Sequence, residues 1–227
     1  MSSGFPSGDG AARRAGVPRI SATTAELTAR ARAMITPGAR RLLGIAGAPG
    51  AGKSTLADRL ASALGPRLAT VVPMDGFHLR HSELVQLGRA QRKGAPDTFD
   101  PHGFAALLRD IRAGAGTVVR APAFDRVHDD PVDGAILVDR DIPLVITEGN
   151  YLLLPDGGWP AARRQLDQVW FLELPDSDRL PRLIERHQRF GKAADAARLW
   201  ATSSDQANAD LVLDTRERAD LIVTLLD

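Results

Sequence analysis

The sequence predicts an α/β three-layer sandwich: a mostly parallel sheet, helices on both faces and a helical lid. Three observations predict it. Short apolar runs alternate with amphipathic stretches along the 227 residues, and strands alternating with helices pair in parallel through crossovers. The run at 41–47 passes directly into a glycine-rich loop and then into a helix. No linker divides the chain after residue 18, so one domain over 19–227 is expected. The small, polar, basic stretch 1–18 before it is expected to be a disordered extension.

In chain order, "SATTAELTARARAM" (21–34) reads as a short helix with Ser21 or Thr24 as cap. "RLLGIAG" (41–47) is a buried strand, and "STLADRLASAL" (54–64) is the helix that follows its loop. "RLATVVPMDG" (67–76) is a second strand with an acidic end. Residues 99–114 read as a helix because Asp100 suits a cap and Pro101 suits the first position. "TVVRAPAF" (117–124) and "AILVD" (135–139) pair as a hairpin. "IPLVITEGN" (142–150) and "QVWFLELP" (168–175) are further buried strands, the first again ending at a carboxylate. Residues 177–190 form a helix that tolerates Pro181 only in its first turn. Two short helices follow over 193–213, and "ADLIVTL" (219–225) is a last strand.

Composition narrows the function. The chain is 44% hydrophobic and 25% charged, with formal net charge +1, which makes no electrostatic case for nucleic acid or an anionic membrane. No apolar run approaches the roughly 20 residues of a membrane span. The first residues lack the apolar segment of a signal peptide. With no cysteine, disulfides, thiolate metal sites and cysteine nucleophiles are excluded, and a reducing, cytoplasmic setting fits. The expected partner is a small molecule, and the chain is expected to be a monomer or a homodimer.

Gly47, Gly52, Lys53 and Ser54 satisfy G-x-x-x-x-G-K-[ST] between a strand and a helix, the context a phosphate-binding P-loop requires. Glycines let the backbone of Gly47, Ala48, Pro49, Gly50, Ala51 and Gly52 turn its N–H groups toward phosphate. The helix N-terminus adds positive potential, with Thr55 in its first turn. Lys53 reaches the β/γ-phosphates of a bound nucleotide, and Ser54 joins the Mg²⁺ shell. No N-K-x-D guanine motif exists, and the D-x-x-G at Asp100–Gly103 does not end a buried strand, so a GTPase is not expected. Asp75 and Glu148 each end a buried run and are expected on the rim that carries Lys53, since ligands collect at the carboxyl ends of parallel strands. There Asp75 can accept or orient a hydroxyl proton, and Asp75 or Glu148 can join Ser54 around Mg²⁺.

The ordered set "GAPGAGKST", "PMDGFHL", "RKGAPDTFD", "APAFDR", "ITEGNYLLL" and "DTRERADLIV" resembles the pantothenate kinase/uridine kinase-like group of P-loop kinases. A bacterial branch of nucleoside/nucleotide kinase family proteins fits best, and the likeness covers about 42–225. It implies ATP and Mg²⁺, phosphoryl transfer to a hydroxyl of a small polar metabolite, and a mobile lid bearing arginines. It implies that Asp75 is the base and that Arg92 and Lys93 serve the acceptor side. Phe124, Asp125 and Arg126 correspond to a hairpin that holds the acceptor, and Arg216 of the T-R-E-R-A stretch lies near the adenine.

Arg179, Arg182, Arg186 and Arg189, spaced three, four and three apart, are expected along one helix face beside the phosphates, with Arg186 and Arg189 as catalytic candidates. His78, Asn150, Tyr151 and Asn208 are further acceptor-side candidates. The segment after "FG" contributes only Phe190 and Trp200 as rings. An apolar clamp for pantothenate is therefore weaker, and a sugar or nucleoside is expected ahead of a pantothenate-like acceptor. A nucleoside-triphosphate hydrolase, or a nucleotide-gated module without acceptor, is the alternative.

Overall fold

The computed structural model describes residues 16–114 and 116–227. The expected disordered extension lies outside them except for Gly16–Pro18, which lead into the first strand. There the Pro18 carbonyl accepts from Ile222 N at 2.8 Å.

Strand β1 (Arg19–Ala22) precedes helix α1 (Thr24–Met34), so the expected helix start at 21 is corrected by two residues of strand. Thr23 is the cap, not Ser21 or Thr24. Its hydroxyl accepts from Glu26 N at 3.3 Å, and Glu26 accepts from Thr23 N at 2.8 Å, the reciprocal box of a T-x-x-E sequence. Then come β2 (Arg41–Ala46), α2 (Lys53–Leu64) and β3 (Ala69–Val71). The expected strand 67–76 is thus short. Pro73 ends it, and a 3₁₀ turn at Met74–Phe77 carries Asp75.

Helix α3 (His81–Gln86) was not expected; α4 (Pro101–Ala113) was. Asp100 caps α4 by accepting from His102 N at 3.1 Å and Gly103 N at 2.9 Å. The antiparallel pair β4 (Val118–Asp125) and β5 (Asp130–Asp139) forms a separate two-stranded arm whose register slips around Pro122. Beyond it lie β6 (Leu144–Gly149), α5 (Trp159–Arg163), β7 (Gln168–Glu173), α6 (Asp176–Arg189), α7 (Ala194–Thr202), α8 (Ser204–Leu213) and β8 (Leu221–Leu225). Pro181 is the sixth residue of α6, beyond the first turn where it was expected.

The main sheet runs β1-β8-β7-β2-β6-β3, all neighbours parallel. Alternation along the strands divides the core in two. Leu42, Val145, Val169, Phe171 and Ile222 face α4, α5 and α8. Leu43, Ile45, Ile146, Trp170 and Val223 face α1 and α2. The chain builds β3 and β6 on one side of β2 and β7 and β8 on the other. The crevice at the carboxyl end of β2 is therefore the switch point where ligands gather.

Candidate active site

The P-loop connects β2 to α2. Gly47 is indispensable for packing as well as conformation: a Cβ there would lie 2.6 Å from the Leu172 carbonyl oxygen, at φ +154°. Gly52 takes the left-handed conformation (φ +94°, ψ +15°) at the entry to α2. Above the loop, Arg179 is fully buried. It donates to the Pro49 carbonyl at 3.1 Å, to Asp176 at 2.8 Å and to Gln206, tying the loop to α6 and α8.

A cleft of about 500 Å³ opens beside the loop. Pro49, Lys53, Ser54, Asp75, Glu148 and Asn150 line its floor. Lys53 Nζ donates to the Ala48 carbonyl at 3.0 Å and to Asn150 Oδ1 at 2.6 Å. Burial pulls its pKa down to about 8, against the opposing charges of Glu148 and Asp75. Ser54 Oγ donates to Glu148 Oε1 at 2.9 Å. Burial first, and the Asp75 charge second, push Glu148 up to about 7. Asp75 lies 3.2 Å from Arg126 Nη2 of the arm. The two glycines beside these acids are set by packing. A Cβ on Gly76 would meet the Pro122 carbonyl oxygen at 2.3 Å, and one on Gly149 would meet Met74 at 2.6 Å.

Ser54 Oγ and the Glu148 carboxylate are adjacent oxygen donors of the kind Mg²⁺ accepts when phosphates supply the rest of its shell. Backbone amides, Lys53 and the α2 N-terminus are the donor set a triphosphate needs. The chain therefore fits ATP and Mg²⁺.

The other wall carries Lys93, Phe124, His78, Asn208 and Arg186. Lys93 pairs with Asp129 at 2.9 Å and stands 5.0 Å from the Phe124 ring centre. His78 stacks on Phe99 (centroids 3.9 Å apart) and tilts against Phe124. Burial pulls its pKa down to about 4, so its ring is neutral near pH 7. Arg186 is shifted down by burial and by the neighbouring Arg126. It makes no ion pair among the described residues.

Several expected residues stand elsewhere. The four lid arginines do not share one face. Residues seven apart on a helix sit about 20° from each other, but residues three apart about 60°. So Arg179 and Arg186 point inward, while Arg182 and Arg189 are exposed, Arg189 paired with Glu185 at 2.8 Å. Arg92 pairs with Asp97 outside the cleft. Asp125 caps its own turn, accepting from Val127 N at 2.8 Å and from His128. Tyr151 is buried and donates to the Gly94 carbonyl, which Asn208 Nδ2 also approaches at 3.4 Å. Arg216 lies outside the cleft beside Glu173 (3.8 Å) and Glu217 (3.5 Å). Thr55 stands where it was expected, in the first turn of α2 beside Ser54, both exposed. The lid alone is poor in rings, as expected, but the cleft is not: Phe99 and Phe124 join Phe190 and Trp200 around it.

Two features were missed. One is the Arg179 brace. The other is a hydrogen bond between His187 Nε2 and Asp205 Oδ2 at 2.6 Å. Asp205 and Asn208, three apart, share one face of α8, a spacing that could have drawn attention to both.

No family model matches the chain. A Schizosaccharomyces pombe protein provisionally named uridine kinase C227.14 is 36% identical over 74% of this chain and 75% of its own length. The uncharacterized protein YggC of Escherichia coli is 34% identical over 85% of this chain and 81% of its own. A crystal structure from Silicibacter sp. TM1040, provisionally described as a fructose transport system kinase, is 40% identical with TM-score 0.80. It covers 88% of this chain and 98% of that one. The pantothenate kinase of Leifsonia xyli is 36% identical over 56% of this chain and 39% of its own length. The chain belongs to the uridine kinase and pantothenate kinase-like group of P-loop kinases, phosphotransferases with a hydroxyl acceptor.

Proposed function

We propose that the protein transfers the γ-phosphoryl group of ATP to a hydroxyl of a small polar metabolite: a nucleoside, a sugar or a pantothenate-like acceptor. One observation carries the reading. Asp75, a carboxylate with no part in the core, lines the same cleft as Lys53, Ser54, Glu148 and Arg186.

In this reading the loop amides and Lys53 hold the nucleotide, and Ser54 with Glu148 or Asp75 positions Mg²⁺. Bound ATP·Mg²⁺ supplies the phosphoryl group and part of the charge neutralisation. Asp75 orients the acceptor hydroxyl and takes its proton as Arg126 yields the carboxylate oxygen it now contacts. Arg186, a largely desolvated guanidinium with no carboxylate partner among the described residues, is suited to charge that develops on the transferring group. Asn150 releases Lys53 to the phosphates, and His78, Lys93, Phe124 and Asn208 form the acceptor wall. The rate gain comes mainly from positioning and electrostatics.

The test is incubation with ATP, Mg²⁺ and a panel of nucleosides, sugars, pantothenate and glycerate, with ADP release followed. Release stimulated by one acceptor class is expected. Steady release indifferent to every acceptor would mark a hydrolase, and tight ATP binding without turnover would mark a regulatory module.

A further inference from the structure

His187 on α6 and Asp205 on α8 meet inside the lid, Nε2 to Oδ2 at 2.6 Å, with side chains only 15% and 13% exposed. Both line the cleft that holds Asp75. A carboxylate only accepts, so Nε2 carries the proton, and in the tautomer this selects the lone pair sits on Nδ1. Nδ1 has no hydrogen-bond partner among the described residues. Among the described residues the sealed-off side-chain polar atoms without a partner are Thr36 Oγ1 and His78 Nδ1, so His187 Nδ1 remains open. A latch between α6 and α8 does not require this pair, because Arg179 already bonds Gln206 across the same helices. Placing a His and an Asp where apolar side chains would pack costs desolvation, which a ligand contact offsets.

We propose that His187, fixed in one tautomer by Asp205, accepts a hydrogen bond from a second hydroxyl of the acceptor. The acceptor is then a polyol, with one hydroxyl at Asp75 and another at His187. This inference rests on the kinase reading above. His187 selects the acceptor and takes no part in the transfer itself.

The experiment uses acceptor twins that keep a primary hydroxyl but differ in a second one: uridine and 2′-deoxyuridine, D-ribose and 2-deoxy-D-ribose, glycerate and 3-hydroxypropionate. For the pair that is turned over, kcat/KM of the hydroxylated twin should exceed that of its partner by about tenfold or more, the equivalent of one net hydrogen bond. His187→Ala should bring that ratio close to one, acting on acceptor KM. His187→Asn, whose amide reaches the position of Nδ1, should keep most of it. A purely structural role lowers both twins together and leaves the ratio intact. That result, or an equal use of both twins by the unaltered protein, overturns the proposal.

Titration of the same twins into the protein with a non-hydrolysable ATP analogue reads the preference without turnover. Equal affinities there also overturn it. Failure of the kinase reading looks different: no acceptor in the panel stimulates ADP release.

Discussion

Glu148 accepts the Ser54 hydroxyl at 2.9 Å while buried in one cleft with Asp75, and burial pushes its pKa up to about 7. Between an unfolded value of 4.5 and about 7 the folded protein holds a proton that the unfolded chain has released. Stability therefore falls as pH rises through that window. Lys53 acts in the other direction. Between about 8 and 10.5 the unfolded chain holds a proton that the folded lysine lacks, so stability rises again. The nucleotide-free protein should show a stability trough near pH 7–8. Glu148→Gln should flatten the acid arm and raise Tm at pH 7.5 by roughly 5 °C while abolishing turnover. Thermal unfolding of both proteins from pH 5 to 10 checks this, and an unchanged acid arm in the variant would show that the proton resides elsewhere.

Among the described residues Asp75 makes one side-chain hydrogen bond, the 3.2 Å pair with Arg126. Asp75→Asn should leave nucleotide affinity within a few-fold and lower acceptor-dependent turnover by about 10²–10⁴-fold, the usual worth of a general base. Nucleotide titration beside steady-state ADP release separates the two effects. Near-normal turnover would remove Asp75 from the mechanism.

The inward and outward arginines of α6 should part company. Arg186→Ala removes a desolvated cation from the cleft, and turnover should fall about 10²–10³-fold. Arg189→Ala removes an exposed pair with Glu185, 69% and 70% exposed. Such a pair contributes at most about 0.5 kcal/mol, so its turnover should stay within about threefold. Measured kcat for the two variants decides the matter.

Arg179→Met keeps the aliphatic stem and deletes three donors. The Pro49 carbonyl and Gln206 Oε1 then lose the donor they bond inside the fold. A loss of about 2–3 kcal/mol is expected from these unsatisfied groups, read as a lower denaturant midpoint. Nucleotide affinity should weaken as well, because the loop loses its brace. Unchanged affinity would mean the loop holds its shape without α6.

These variants also mark what could be read from the chain alone. The P-loop is local. Its glycines, lysine and serine are consecutive, so their geometry follows from sequence. Strands β2, β6, β7 and β8 were readable because their apolar runs are mostly buried. Strand β1 was not: its polar–apolar alternation runs for only four residues, too short to signal a strand, and it is fixed by pairing with β8, about two hundred residues later. The arginine spacing suggested one face because three and four both approximate a turn, yet the small angular differences decide which side chain is buried. The roles of Tyr151 and Asn208 were hidden for another reason. Both bond the Gly94 carbonyl, and a backbone acceptor leaves no mark in the sequence.

Gly76 gives a final, discriminating comparison. Its neighbour in a Gly76→Ala variant would be the Pro122 carbonyl oxygen at 2.3 Å. That is backbone in the arm, which cannot rotate aside, so the arm must move away from Asp75. Stability should fall by at least about 2 kcal/mol, and turnover should fall further than stability explains, because Arg126 and Phe124 ride on the same arm. Gly94→Ala meets nothing within 4 Å and suffers only from its φ of +99°, worth about 1–2 kcal/mol. Denaturant unfolding together with acceptor KM for the two variants tests the contrast. If Gly76→Ala were as stable as Gly94→Ala and kept normal acceptor KM, the arm would not be what positions the acceptor wall.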